Sequence, residues 1–264
     1  MKNILISLLG LIFIAMACNY PNKEYTLVWQ DEFDYVGLPD STKWAYDQEG
    51  NAHGWGNNEA QFYTSARKEN TWVENGQLHI TAINEAYEGK AFTSARLMSK
   101  ADWLHGKVEV RAKLPKGVGT WSAIWMMPGG WSFNDGDWPN IGEIDIMEHV
   151  GHDLGVIHAS AHSKDYQWQT GTQQTAVINV PDVDTQFHNY ILEWTPDSLK
   201  AFVDEQQYFA YENEGLGVDK WPYEKPFYLL LNVAVGGAWG SVQGIDTLAF
   251  PQTMEVEYVR IYQK

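Results

Sequence analysis

The sequence holds a single cysteine, Cys18, and few positive charges: 18 lysines and arginines stand against 34 aspartates and glutamates in 264 residues, a formal balance of −16. One thiol cannot form an internal disulfide, so the domain that follows it must be held by packing. No basic block interrupts the acidity, which excludes nucleic acid and anionic membrane surfaces as partners recognised by charge. Helical periodicity sustained over a dozen residues with caps is also missing. The glycines at 117, 119, 236 and 237 lack the following Lys-Ser/Thr of a phosphate loop and read as turns. Linkers rich in proline and serine, repeats and low-complexity blocks are absent, which points to one domain. A chain of about 250 residues can bury a large core without covalent staples.

The one long apolar run lies at the start, in MKNILISLLGLIFIAMAC at 1–18. It is too short for a permanent membrane span and fits an export signal. Its small residues before Cys18 resemble the cleavage box of bacterial lipoproteins. That resemblance implies an exported, membrane-anchored protein, lipidated at Cys18 and displayed at the cell surface or in the periplasm, with a single domain over 19–264. Within that domain, alternation at period two in 107–114 (KVEVRAKL) and 77–80 (QLHI) predicts half-exposed antiparallel strands. The apolar run 227–235 (FYLLLNVAV) and the β-branched, aromatic run 254–262 (MEVEYVRIY) predict strands in or near the core. The fold class is all-β, a sandwich of two antiparallel sheets.

Aromatic residues are abundant: 13 Trp, 14 Tyr and 10 Phe. Flat indoles join apolar area to a polar edge, which suits stacking on sugar rings as well as core packing. They surround the most informative stretch, 140–149 (NIGEIDIMEH). On a strand, Glu143 and Asp145 point to one face and Ile144 to the other, and a β-bulge at Ile146-Met147 would bring Glu148 round to the acidic face. Three crowded carboxylates keep protons and separate their pKa values. Glycoside hydrolysis needs that separation, with one carboxylate ionised as nucleophile and another protonated as acid. An acidic strand face exposed to water has the same pattern. Trp121 and Trp125 upstream, and Trp138 just before the strand, favour a sugar cleft.

At these residues the sequence resembles glycoside hydrolase family 16, in its laminarinase-like branch of endo-β-1,3(4)-glucanases. The matching segments are VWQDEFD at 28–34, WGNNEAQFYT at 55–64, TSARLMSK at 93–100, WSAIWMMP at 121–128, WPNIGEIDIMEHVG at 138–151, FHNYILEWTPDSLKAFVD at 187–204 and LLLNVAVGGAWG at 229–240. The resemblance implies a β-jelly-roll with a concave substrate groove and endo-acting, retaining cleavage of β-1,3-glucan or mixed-linkage β-1,3/1,4-glucan. It implies Glu143 as nucleophile, Glu148 as acid/base and Asp145 as the residue that positions Glu143 and tunes the pair. Asn57 and Arg96 match sugar-binding positions; Trp121, Trp125, Trp138 and Trp239 are candidate stacking platforms; and His162 stands where similar enzymes place a cleft histidine. No cofactor is implied for catalysis, and the expected partner is the polysaccharide, bound by a monomer.

His149, His152, His158 and His162 invite a metal reading, but Glu148-His149 on a predicted strand is not the H-E-x-x-H of a zinc-protease helix. A structural calcium is the better metal expectation from the resemblance, held by Glu32, the carbonyl of Gly50 and Glu257, although similar enzymes carry aspartate at the last position. Ala60, Ala238 and Ser241 also depart from the usual pattern and bear on the cleft walls, hence on the substrate subclass. Two rival readings are a same-family galactan hydrolase of the agarase, porphyranase or carrageenase type, and a noncatalytic glycan-binding lipoprotein. The first would want basic groove residues where it takes anionic substrates, and the second would have no reason to keep all three carboxylates.

Overall fold

The structure is a computed structural model and describes residues 24–264; the export signal and the Cys18 anchor lie outside the described residues. The first strands are β1 (Thr26–Asp31), β2 (Trp44–Tyr46), β3 (Gln61–Tyr63), β4 (Thr71–Glu74), β5 (Gln77–Tyr87) and β6 (Lys90–Ser94). They are followed by β7 (Arg96–Trp103), β8 (Gly106–Lys113), β9 (Thr120–Pro128), β10 (Glu143–Val150), β11 (Val156–His162) and β12 (Gln174–Asn179). The chain ends with β13 (His188–Trp194), β14 (Ser198–Val203), β15 (Gln206–Glu212), β16 (Phe227–Val235) and β17 (Gln252–Gln263). Among the described residues, helix is limited to short 3-10 segments and one four-residue turn, α1 (Gly237–Gly240).

Two sheets pack face to face as a jelly-roll sandwich. One has ten strands, with the path β15-β14-β13-β8-β17-β5-β6-β3 and with β1 beside β17 and β4 beside β5; the other has seven, in the order β12-β11-β10-β9-β16-β7-β2. The pairings among the described strands are antiparallel apart from the parallel pair β3–β6. Strand character follows the period-two pattern: in β8, Val108, Val110 and Ala112 are buried while the charged residues between them stay partly open to water. β16 is buried almost throughout because it lies between β9 and β7 with both faces covered. Its Leu229, Leu231 and Val233 enter the main core, with Trp194, Tyr190, Phe227 and Tyr223 from neighbouring elements. Ala234 faces the other way, into a small aromatic cluster with Trp55 and Tyr63 against which Trp121 and Phe133 pack.

Candidate active site

The local fold of β10 explains the acidic face. Against β9, Asp145 opposes Trp125 and Met147 opposes Ile124, so Ile146 is one residue too many and forms a β-bulge. Ile146 and Met147 are both fully buried on the core side, and Glu148 returns to the face of Glu143 and Asp145. Gly142 sets the entry to this strand at φ +84°, where a Cβ would come within 2.8 Å of Pro222. Tyr223 beside it donates its hydroxyl to the His162 carbonyl at 2.8 Å, which ties the start of β10 to the end of β11. Across the sheet, His158, Glu148, Ala123, Asn232 and Arg96 form one row, each the register partner of the next.

Each carboxyl has its own partner. Trp138 Nε1 donates to Glu143 Oε2 at 2.8 Å, and Trp121 Nε1 donates to Glu148 Oε1 at 3.0 Å. His162 Nε2 lies 3.2 Å from Asp145 Oδ2. Burial pushes Glu143 up to about 8, helped by the charge of Asp145 and opposed by His162. Burial raises Asp145 to about 7, against a hydrogen bond with Glu143. Glu148 is held well above the ordinary range by burial first and then by the charge of Asp145. Burial favours the protonated form of Glu148, and the Trp121 donor holds its carboxyl in place, which suits it to protonate a leaving oxygen.

Beside the acids lies an aromatic and polar wall. The Arg96 guanidinium sits between the Trp55 and Trp125 rings, 4.4 and 4.5 Å from their centroids, and its Nε pairs with Asp47 Oδ2 at 3.0 Å. Trp55 adopts φ +56°, a conformation that bulky residues avoid, in order to close this stack. Trp125 Nε1 donates to Asn232 Oδ1 at 2.8 Å. Asn57 is fixed from two sides: its amide donates to Glu59 at 3.3 Å and its carbonyl accepts Ala238 N at 2.8 Å. That second bond seats α1, whose Trp239 meets Trp121 edge-on at 5.6 Å and His158 at 4.7 Å. Trp138 and His162 lie 5.9 Å apart. Trp121, Trp125, Trp138 and Trp239 are all half-buried, with ring surface left for a ligand.

The catalytic and sugar-binding residues read from the sequence therefore meet on one face of the seven-stranded sheet. Sequence reasoning missed Asp47, Trp55, Glu59 and Asn232. The only polar residue in the apolar run 227–235 is Asn232, which was a usable signal. Asp47 and Glu59 carried none, because their roles come from contacts remote in sequence.

The profile of glycosyl hydrolases family 16 matches residues 58–260. The chain belongs to this family. It is 50% identical to a beta-glucanase of Rhodothermus marinus over 246 residues, covering 90% of this chain and 85% of the relative. It is 38% identical to a glucan endo-1,3-beta-glucosidase of Cryptopygus antarcticus over 266 residues, covering 92% of this chain and 94% of the relative. Among solved structures it superposes on the laminarinase from Rhodothermus marinus with a TM-score of 0.87 at 49% identity, over 91% of this chain and 98% of that one.

The calcium set expected from the family 16 resemblance is not assembled. Both oxygens of Glu32 are taken by Arg260, at 2.8 Å from Nε and 2.8 Å from Nη2, and Glu257 accepts from Arg111 Nε at 2.6 Å. Gly50 belongs to the 3-10 segment Glu49–Gly56 and packs on Trp55, in the wall of the cleft, whereas Glu32 follows β1 and Glu257 lies within β17, both in the ten-stranded sheet. Two carboxylates paired with guanidinium groups, and a carbonyl on another element, do not make up a calcium ligand set. Among the described residues of this family 16 chain, the one group of acids and histidine close enough to share an ion is Glu143, Asp145 and His162, in the cleft itself.

Proposed function

We propose that the chain is an endo-acting, retaining glycoside hydrolase that cuts β-1,3-glucan or mixed-linkage β-1,3/1,4-glucan by double displacement. One observation carries the mechanism: the Ile146 bulge puts Glu143, Asp145 and Glu148 on one face, with Glu148 buried so that its protonated form is favoured. In the first step the Glu143 carboxylate attacks the anomeric carbon while Glu148 gives its proton to the departing glycosidic oxygen. In the second, Glu148 takes a proton from water, the water oxygen attacks the same carbon, and Glu143 leaves with its charge restored. Two inversions leave the anomeric configuration unchanged. Asp145, held by His162, keeps Glu143 in line and keeps the two carboxyls apart in pKa. Arg96 with its two indoles, Asn57, Trp121 and Trp239 hold the sugars on either side.

Relatives named beta-glucanase and glucan endo-1,3-beta-glucosidase support the substrate class. A chain carrying 18 cations against 34 anions also suits a neutral glucan better than a sulfated galactan. The test is product analysis of the domain with laminarin, barley mixed-linkage glucan and agarose, with the anomeric configuration of the first product followed by NMR. Oligosaccharides of retained configuration from either glucan are expected. Release from agarose alone would overturn the substrate, inversion would overturn the roles of the two glutamates, and binding without products would make the chain a glycan-binding module.

The leader at 1–18 supports export and attachment to a membrane through a lipid on Cys18. Palmitate labelling that is lost in Cys18→Ser is the expected result. Labelling that persists would overturn the anchor.

A further inference from the structure

Two inserted residues meet across the sandwich. In β10 the register against β9 steps from Asp145–Trp125 to Met147–Ile124, leaving Ile146 extra. In β15 the register against β14 steps from Phe209–Ala201 to Gln207–Phe202, leaving Tyr208 extra. The Tyr208 hydroxyl donates to the Ile146 carbonyl at 3.0 Å. This bond joins strands of different sheets, since β15 edges the ten-stranded sheet and β10 lies inside the seven-stranded one. An inserted residue falls out of the ladder, so its buried carbonyl depends on a donor from elsewhere. The conformation at Ile146 also sets the face on which Glu148 emerges two residues later. Tyr208 lies close enough to the acids for the charges of Glu148 and Asp145 to add to the effect of burial on its phenol.

We propose that Tyr208 is a positioning residue for Glu148: by holding the Ile146 carbonyl from the opposite sheet, its hydroxyl fixes the bulge that aims the acid/base carboxyl at the cleft. The proposal rests on the reading of Glu148 as acid/base. It differs from ordinary core packing because the hydroxyl, and not the ring, carries the effect. A control from the same core is Tyr190 on β13, which is fully buried near Tyr208 and whose hydroxyl has no hydrogen-bond partner among the described residues.

The experiment compares Tyr208→Phe, Tyr190→Phe and the wild type on laminarin across pH, with thermal unfolding measured alongside. For Tyr208→Phe, kcat is expected to fall about tenfold, since sub-ångström misplacement of a catalytic group costs rate and not affinity, with KM within about twofold. The titratable groups facing Glu148 are Glu143 and Asp145 on β10, His162 and His158 on β11, and Tyr208 itself. When the bulge loosens, Glu148 moves away from the two acids and towards water, so the alkaline limb of kcat/KM shifts to lower pH. Tyr190→Phe is expected to leave rate and pH profile unchanged. Replacement of Tyr208 by 4-aminophenylalanine, which restores a donor, is expected to bring kcat back to within about threefold of wild type.

Wild-type kcat and an unmoved alkaline limb in Tyr208→Phe would overturn the proposal, as would a lower melting temperature with both unchanged. Failure of the 4-aminophenylalanine rescue would overturn it even if Tyr208→Phe does not fold. Glu148→Ala separates the two levels of the argument. Loss of its turnover keeps the acid/base reading standing whatever Tyr208→Phe does, and full turnover in Glu148→Ala would overturn that reading itself.

Discussion

Glu143→Gln is expected to stabilise the protein while destroying its turnover, by an amount that depends on pH. Glutamine keeps the volume of the side chain and still offers an oxygen to Trp138 Nε1, now 2.8 Å from Glu143 Oε2. What changes is ionisation. Burial, with the charge of Asp145, holds the folded-state pKa at about 8 against 4.5 for the exposed group. As pH rises between those values the unfolded chain releases the proton and the folded chain keeps it, so the native state loses about 1.4 kcal/mol per pH unit relative to a neutral residue. The whole span would amount to about 5 kcal/mol. Glu143 is still half protonated at pH 8 and shares its repulsion with Asp145, which brings the expected gain to about 2–4 kcal/mol. For a domain of this size that is a rise in Tm of about 5–12 °C at pH 8, falling to less than about 2 °C near pH 4, where both states are protonated. Thermal unfolding followed by circular dichroism between pH 4 and 8 measures it, with turnover and glucan binding assayed on the same samples. A gain of equal size at all pH values, or a loss at pH 8, would refute the assignment of a buried, charge-crowded carboxyl to this position.

Trp121→Phe removes the donor 3.0 Å from Glu148, which favours the ionised form. The Glu148 pKa should therefore rise, and the alkaline limb of kcat/KM should move to higher pH. Deletion of Ile146 restores the regular register and leaves Glu143 and Glu148 four positions apart, so Glu148 stays on the acidic face without the bulge. Laminarin hydrolysis should persist in product analysis, and its complete loss would show that the inserted residue itself is needed to aim Glu148. Arg96→Lys keeps the charge but loses the planar stack between Trp55 and Trp125, so KM should rise about tenfold with kcat within about threefold in steady-state kinetics. Because Glu32 and Glu257 are already held by Arg260 and Arg111, EDTA should move Tm by less than about 1 °C. A calcium-dependent rise of several degrees would contradict that pairing.

The strands at 77–80, 107–114, 227–235 and 254–262 were legible because a half-buried or doubly covered strand writes its faces into the order of residues. The acidic face was legible for the same reason, together with the bulge, since Glu143 and Glu148 differ by an odd number of positions and share a face only if one residue is inserted. The calcium set was not. Glu32 and Glu257 were put forward by the resemblance alone, and the arginines that pair with them are 228 and 146 residues away along the chain. Likewise the tryptophans were visible, but Asp47 and Glu59, which hold Arg96 and Asn57 in place, carry no local pattern.

Local order along the chain was enough for what repeats along a strand: the all-β class, the row of carboxylates, and the need for one inserted residue between Asp145 and Glu148. Tertiary structure alone could say which donor meets which acceptor, because such partners come from strands brought together by the packing of the sheets. Tyr208 on the Ile146 carbonyl, Arg96 between two indoles and Arg260 on Glu32 are of this kind. The same packing raised the pKa values, since a carboxyl loses its water only when the cleft walls close around it.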